Sequence, residues 1–423
     1  MRFANLFLFG ALLTTAAVAQ STAPSSQKLQ YVVILSRHGV RSPTAAIADL
    51  RQYASDSWPD FGVAPGELTE HGGKLMTMLG GWYRAWLSHD GLLPDKGCEA
   101  SDSVYVRADL DQRTRESGRL FAQGMFPDCA PEVHLASGRS DPLFHAAAAG
   151  IAHADGKLAA ASVAGRIGGN PAALSTPYQH AFETLGAVLG KPLLPGGASF
   201  IQSTIESTAD GVADIRGPLR TGSTMAENLL LEYANGNTGK DLGWGRLDAA
   251  KLTEIMAIHT AYADIARRTP YLARVQGSNL LQHILLSLEQ AVSGKAVAGA
   301  LGTPASRVLV LAGHDTNISH ISGLLQLSWL IPGYQSDDTP PGGSLVFRLW
   351  RDEATKTNSV EVLYIAQTLD QMHELARLTL ASPPGIDKVF VPGCVPTTSG
   401  IDCGWATFRS ILSAAIDLQQ IKP

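Results

Sequence analysis

The chain has 423 residues, 45% of them hydrophobic and 17% charged, with a formal net charge of −5 at pH 7. That composition supports a substantial core and excludes a disordered protein, and mild acidity without a long basic run argues against nucleic acid as a partner. After the N-terminal segment no apolar run reaches the roughly twenty residues that a membrane helix needs, so no membrane association is expected of the mature chain.

Residues 1–19 read as a secretory signal peptide. Arg2 gives a positive start, residues 6–13 an apolar run, and Ala17-Val18-Ala19 a small-residue cleavage pattern before Gln20. The remaining roughly 400 residues are expected in the periplasm or outside the cell, as two domains or one large domain with an insertion. Residues 28–36 form a nearly unbroken apolar, β-branched run, the pattern of a strand covered on both faces. Residues 103–106 suggest a second, shorter and alternating strand, and 307–312 a third as apolar as the first. Residues 342–350 and 359–365 read as two more strands, for which antiparallel pairing stays open.

The stretch 155–300 differs. It is rich in Ala and Leu, with helical spacing over 224–233, 249–266 and 280–292 and Gly/Pro-rich joints at 192–197 and 236–245. The expected architecture is α/β: a mixed, mostly parallel sheet flanked by helices, formed by 20–154 and 301–423. A smaller, mostly helical domain, 155–300, is inserted into it.

Four cysteines, Cys98, Cys129, Cys394 and Cys403, accompany the export signal into an oxidising compartment. They allow three pairings. Proximity favours Cys394 with Cys403, which leaves Cys98 with Cys129. No pair shows the two-residue spacing of a zinc site.

The chemistry-bearing residues come after the strands. Arg37-His38-Gly39-Val40-Arg41-Ser42-Pro43-Thr44 stands directly after the first, Asp109-Leu110-Asp111-Gln112-Arg113-Thr114-Arg115 after the second, and Gly313-His314-Asp315-Thr316-Asn317 after the third. In open α/β sheets the ligand crevice lies beyond the carboxyl ends of the strands. Arginine suits an oxyanion pocket there, because its planar fork binds phosphate oxygens in pairs. A solvated loop is the ordinary reading of a lone Arg-His pair, but not of three such strings at equivalent strand ends.

The string RHGVRSPT with a distant HDTN resembles the histidine acid phosphatase family, and within it the bacterial periplasmic phytase and acid phosphatase branch. The resemblance runs from Tyr31 to about Phe408 and includes Trp244-Gly245-Arg246, Thr339-Pro340-Pro341-Gly342-Gly343 and the last cysteine pair. It implies a phosphoglycerate-mutase-like α/β domain plus a helical domain. It also implies that His38 is the nucleophile, that Arg37, Arg41, Arg115 and His314 hold the phosphoryl group, and that Asp315 is the general acid. Thr44, Glu227 and His259 stand where this branch lines its substrate pocket, although helical positions such as Glu227 and His259 equally suit a solvated face or a core histidine.

The chemistry is coherent without the family. A neutral imidazole avoids the repulsion an anionic nucleophile meets, three arginines neutralise the equatorial oxygens, and a carboxylic acid lets the alcohol leave. No cofactor or metal is required, activity on the acid side of neutral is expected, and the partner is a small phosphomonoester met by a monomer.

Rival readings carry less. Cys403 to Arg409 has the cysteine-five-arginine spacing of thiol phosphatases, but lacks a preceding buried strand and carries the bulky Trp405 and Phe408. Asp109-Leu110-Asp111 resembles magnesium-dependent aspartyl phosphatases until Gln112 and Arg113 break the match. A non-catalytic phospho-ligand binding protein would have lost His38 or Asp315, and a mutase would act on cytosolic metabolites. As to substrate, related glucose-1-phosphatases tend to carry Asn and Ser where this chain has Gly39 and Thr316. Ala45 and Gln276 stand where the phytase branch often has cations. The expectation is a broad acid phosphatase that includes phytate, with a glucose-1-phosphatase-like enzyme as the alternative.

Overall fold

The computed structural model describes residues 27–193, 203–208, 210–395 and 402–421. The expected signal peptide, and residues 194–197 of the first Gly/Pro-rich joint, lie outside them.

Among the described residues, ten strands fall into two sheets. They are β1 (Gln27–Arg37), β2 (Val104–Ala108), β3 (Val133–His134), β4 (Thr204–Ser207), β5 (Ala213–Arg216), β6 (Val308–Gly313), β7 (Ser344–Asp352), β8 (Asn358–Ala366), β9 (Gly385–Lys388) and β10 (Cys403–Gly404). The main sheet runs β10-β8-β7-β1-β6-β2-β3, with β9 also on β8, while β4 and β5 pair by themselves. One half is parallel, with β1 and β2 flanking β6 and β3 outside β2. The other half, β7 to β10, is antiparallel.

β1 lies in the middle, and its composition follows from that place. Every residue from Tyr31 to Arg37 is buried. Successive side chains point to opposite faces. Val32 and Ile34 join one core layer with Leu79, Tyr83 and Phe121, whereas Val33 and Leu35 join the other with Leu229, Ile258, Leu281 and Ile318. The first layer is closed by helices Glu70–His89 and Gln112–Met125. They touch backbone to backbone: a Cβ on Gly80 would sit 2.0 Å from the Phe121 carbonyl, and one on Gly124 equally close to that of Thr77.

The second layer is closed by helices Pro218–Ala234, Ala249–Arg268, Pro270–Ser293 and Asp315–Leu325. The stretch expected as a helical insertion thus holds helices, together with the β4–β5 pair. Its residues Leu229, Ile258 and Leu281 join the core layer of Val33 and Leu35, whereas Ala159, Val163, Ala213, Ile215 and Leu272 form a separate small cluster. Disulfides join Cys98 to Cys129 and Cys394 to Cys403. Among the described residues no helix is long and apolar enough to cross a membrane.

The register brings the three strand ends to one edge. Arg37 is level with Gly313 and Ala108 with Ala312, so β1, β6 and β2 end together. Antiparallel β7 starts at the same edge, Ser344 opposite Ser36. His38, His314, Asp109 and the loop before Ser344 therefore emerge side by side.

Candidate active site

The turn out of β1 is pinned by backbone hydrogen bonds. The Arg37 N–H donates to Gly343 O (2.9 Å), the His38 N–H to Gly313 O (2.9 Å), and the Gly342 N–H to His38 O (3.0 Å). Gly39 is closely packed: a Cβ there would meet Met76 Cγ at 2.8 Å and Gly72 O at 3.1 Å, so a larger residue needs its neighbours to shift. The His38 ring is buried, with Nδ1 2.8 Å from Gly39 O. A carbonyl only accepts, so Nδ1 carries the hydrogen and Nε2 keeps its lone pair. Burial first, and then the charges of Arg37 and Arg41, hold the imidazole well below its ordinary pKa. The site therefore presents a neutral imidazole nitrogen that keeps its lone pair.

Cations surround it. Arg37 is fully buried, its Nη1 donating to Thr339 O at 2.6 Å and its Nη2 to Glu227 Oε1. Arg41 Nη2 donates to the same Glu227 oxygen at 3.2 Å, and its Nη1 to Ser42 O at 2.9 Å. Glu227, from helix Pro218–Ala234, is thus the shared counter-ion of both arginines. Burial pushes its pKa up, but the two guanidinium groups outweigh this and bring it to about 2. A carboxylate in that position fixes the arginines and does not itself attract phosphate.

Of the two arginines in the string after β2, the structure turns Arg113 toward His38 and leaves Arg115, the one expected there, exposed. Both lie in helix Gln112–Met125, where two residues span about 200° of rotation. Arg113 faces the pocket, paired with Asp111 at 2.5 Å, and its positive charge depresses the pKa of His38, Arg41 and His314. Arg115 is exposed on the other side. Helical rotation could have flagged the alternative, but not which arginine faces inward.

His314 and Asp315 stand at the entry to helix Asp315–Leu325. The His314 N–H donates to Asn317 Oδ1 at 2.9 Å, and its ring lies edge-on to His38, centroids 5.6 Å apart. His314 Nε2 donates to Asp109 Oδ2 at 2.7 Å, and His145 Nε2 reaches the same oxygen at 2.9 Å. Burial raises the Asp109 pKa, but these two hydrogen bonds outweigh it, so Asp109 stays ionised. Burial lowers the pKa of His314 despite that bond. Sequence places Asp109 in a chemistry-bearing string without giving it this role, and does not single out His145. Asp109 is visible as the first polar residue after β2, but nothing marks His145.

Asp315 is buried and paired with Arg267, from the last turn of helix Ala249–Arg268. Burial raises its pKa, but Arg267, Arg37 and His259 together hold it well below the usual carboxylate range. An acid expected to donate a proton is thus kept ionised in the ligand-free pocket. Arg267 has no sequence signal, since a helix C-terminus attracts cations in any protein.

The other predicted residues fall at different depths. His259 is buried, with Nδ1 3.1 Å from Ser223 Oγ, Nε2 without a protein partner, and Glu227 and Asp315 beside it. Thr44 is exposed at the rim, next to Gly66. Gln276 is half-buried and accepts from the Ala147 N–H at 3.5 Å. Cys403 is tied up in its disulfide, which removes the thiol-phosphatase reading.

The chain is similar in sequence and fold to known proteins. A family model for the histidine phosphatase superfamily (branch 2) matches residues 28–179 and 233–365. Phytase AppA of Escherichia coli is 37% identical over 403 residues, covering 92% of each chain. A glucose-1-phosphatase of Salmonella typhimurium is 27% identical over 96% of this chain and 97% of its own. Among solved structures, Hafnia alvei phytase in complex with tartrate superposes with a TM-score of 0.87 at 36% identity, covering 95% of this chain and 100% of that one. Citrobacter braakii phytase gives 0.84 at 30% identity, over 93% and 99%. With two thirds of its length matched by the model and relatives spanning it nearly end to end, the chain belongs to the histidine phosphatase superfamily, branch 2.

Proposed function

We propose that the protein is an exported acid phosphatase that hydrolyses phosphomonoesters, phytate among them, through a phosphohistidine on His38. The observation that carries this reading is the neutral His38 Nε2 set among Arg37, Arg41 and Arg113. The guanidinium groups hold the three non-bridging oxygens and take up their charge as it spreads in the transition state. Nε2 attacks phosphorus in line while the ester P–O bond breaks. Asp315, protonated once substrate charge offsets the cations around it, delivers its proton to the departing alcohol. Its carboxylate then takes a proton from water as the water oxygen attacks the phosphohistidine, which frees phosphate and restores the imidazole. His314, held by Asp109, donates to the phosphoryl group when it exchanges partners. Thr44 at the rim and His259 on the floor contact the rest of the substrate.

Export is supported by the N-terminal signal pattern and the two disulfides. Inclusion of phytate rests on likeness to proteins named phytases. A sugar-phosphatase reading draws on the glucose-1-phosphatase relative and on Ala45 and Gln276 in place of cations. The test is His38→Ala alongside wild type on phytate, glucose 1-phosphate and p-nitrophenyl phosphate. Loss of at least a thousandfold on all three is expected, and near-wild-type turnover on any would overturn the mechanism. A wild-type kcat/KM clearly highest on glucose 1-phosphate would replace the phytate reading.

A further inference from the structure

The mechanism leaves the charge of Arg267 unused. Arg267 reaches across from the end of its helix to bind the general acid, Nη1 against Asp315 Oδ2, with the two side chains 16% and 12% exposed. It is held from behind. Its guanidinium lies 6.0 Å from the Tyr262 ring centroid, the Tyr262 hydroxyl donates to Asp214 Oδ1 at 2.7 Å, and Asp214 pairs with Arg220 at 2.5 Å. Asp315 engages one of its five N–H donors, so the fork can still take an oxyanion.

We propose that Arg267 is both the seat for a second phosphate group beside the scissile one and the clamp that this group releases from Asp315, so that the enzyme favours esters with neighbouring phosphates. The inference rests on the phosphatase reading above and deepens it. While Arg267 is paired with Asp315, the carboxyl is held ionised and supplies the proton the leaving alcohol needs only inefficiently. A substrate with one phosphate offsets Arg37, Arg41 and Arg113 but leaves this clamp closed. A neighbouring phosphate gives the Arg267 guanidinium another anion, and Asp315 is then free to take a proton from solvent and pass it to the alkoxide as the P–O bond breaks. Arg267 also supplies a pocket cation that Ala45 and Gln276 do not.

Other titratable groups face Asp315 as well, among them Tyr364 from β8. His259 comes from the same helix as Arg267, Arg37 from the end of β1, and Arg41 from the turn after it. Glu227 comes from helix Pro218–Ala234, His320 from one turn further along Asp315's own helix, and Asp338 from the loop before β7. Of these, Arg267 alone is hydrogen-bonded to the Asp315 carboxylate. Removing it raises the Asp315 pKa, keeps the acid protonated to higher pH, and moves the alkaline limb of the rate profile upward.

The experiment compares mature wild type with Arg267→Met and Arg267→Lys on three substrates. p-Nitrophenyl phosphate has a leaving group that needs no proton, so its kcat/KM normalises each variant for folding and for the nucleophile. Glycerol 2-phosphate needs the acid but has one phosphate, and phytate needs the acid and has neighbours. For Arg267→Met the phytate ratio should fall at least tenfold, while the glycerol 2-phosphate ratio rises and its alkaline limb moves up. Arg267→Lys should restore most of the phytate ratio. Both ratios moving together by similar factors, with unmoved limbs, would overturn the proposal. If Arg267→Met does not fold, Arg267→Gln is read by the same criteria. A wild type without phytate turnover would instead sink the substrate reading itself.

Discussion

Glu227→Gln separates the two roles of the pocket, holding its own arginines and holding phosphate. Glutamine keeps the shape and an acceptor oxygen for Arg37 and Arg41, but removes the negative charge that both guanidinium groups touch. Breaking a buried pair by deleting one partner costs about 3–5 kcal/mol, and the retained acceptor brings this to about 2–3 kcal/mol. Unfolding entropy of about 2.1 cal/mol/K per residue over roughly 400 residues turns each kcal/mol into about 1 °C, so Tm should drop by about 2–4 °C. Phosphate should respond in the opposite direction. A carboxylate roughly 6 Å from a bound anion repels it by up to about 2.8 kcal/mol at an effective dielectric constant of 20, so removing it tightens inorganic phosphate tenfold to a hundredfold. Thermal scans across a phosphate titration, with the inhibition constant for phosphate, measure both. The variant should start below wild type and be rescued at lower phosphate, with kcat reduced by slower product release. Unchanged Tm together with unchanged or weaker phosphate inhibition would refute the shared counter-ion.

Three other outcomes are expected. Arg113→Ala should lose about a hundredfold to a thousandfold in kcat/KM, the scale of one lost oxyanion donor, whereas the exposed Arg115→Ala should stay within about twofold; the reverse order would exchange their roles. Because the pKa of His38 is depressed, the imidazole stays unprotonated as pH falls through the usual histidine value of about 6.5. kcat/KM for p-nitrophenyl phosphate should therefore show no loss with an inflection there, and such an inflection would contradict the buried, cation-flanked nucleophile. Gly72→Ala places a Cβ 2.2 Å from Val40 O, in the loop that carries His38. Overpacking of this kind costs about 1–3 kcal/mol, so a lower Tm and weaker activity should appear together in the variant.

The features legible in sequence are those that lie along the chain. β1 and β6 announce themselves because strands covered on both faces need unbroken apolar runs, and the polar residues that end those runs are the ones that reach the crevice. The extent of the antiparallel half is not legible, since an apolar strand shows no direction, and β9 and β10 are four and two residues long. The motif points to Arg115 rather than Arg113 because a motif carries no rotation; only docking of the helix through Phe121 and Ala122 turns one arginine inward and the other out. Glu227 is legible as a pocket residue but not as a counter-ion, because its partners lie 190 and 186 residues away. Arg267 and His145 act only through contacts that the fold creates.

Those contacts answer one electrostatic constraint. A pocket that concentrates positive charge through guanidinium groups must bury several of them, and a buried cation without a counter-charge destabilises the fold by several kcal/mol. Glu227 meets that need for Arg37 and Arg41, Asp111 for Arg113, and Asp315 for Arg267. The same carboxylates oppose an incoming phosphate, which limits its affinity and lets the product leave. In the proposed mechanism Asp315 alone of these carboxylates changes state, from counter-ion in the free pocket to acid in the complex. That switch needs an anion that takes over its cation, so the charge carried by the substrate is part of what makes the acid. A pocket built in this way selects for substrate charge at the chemical step as well as at binding. Discrimination between esters with one and several phosphates should therefore appear in kcat as well as in KM, and a difference confined to KM would mean that Asp315 takes its proton independently of Arg267.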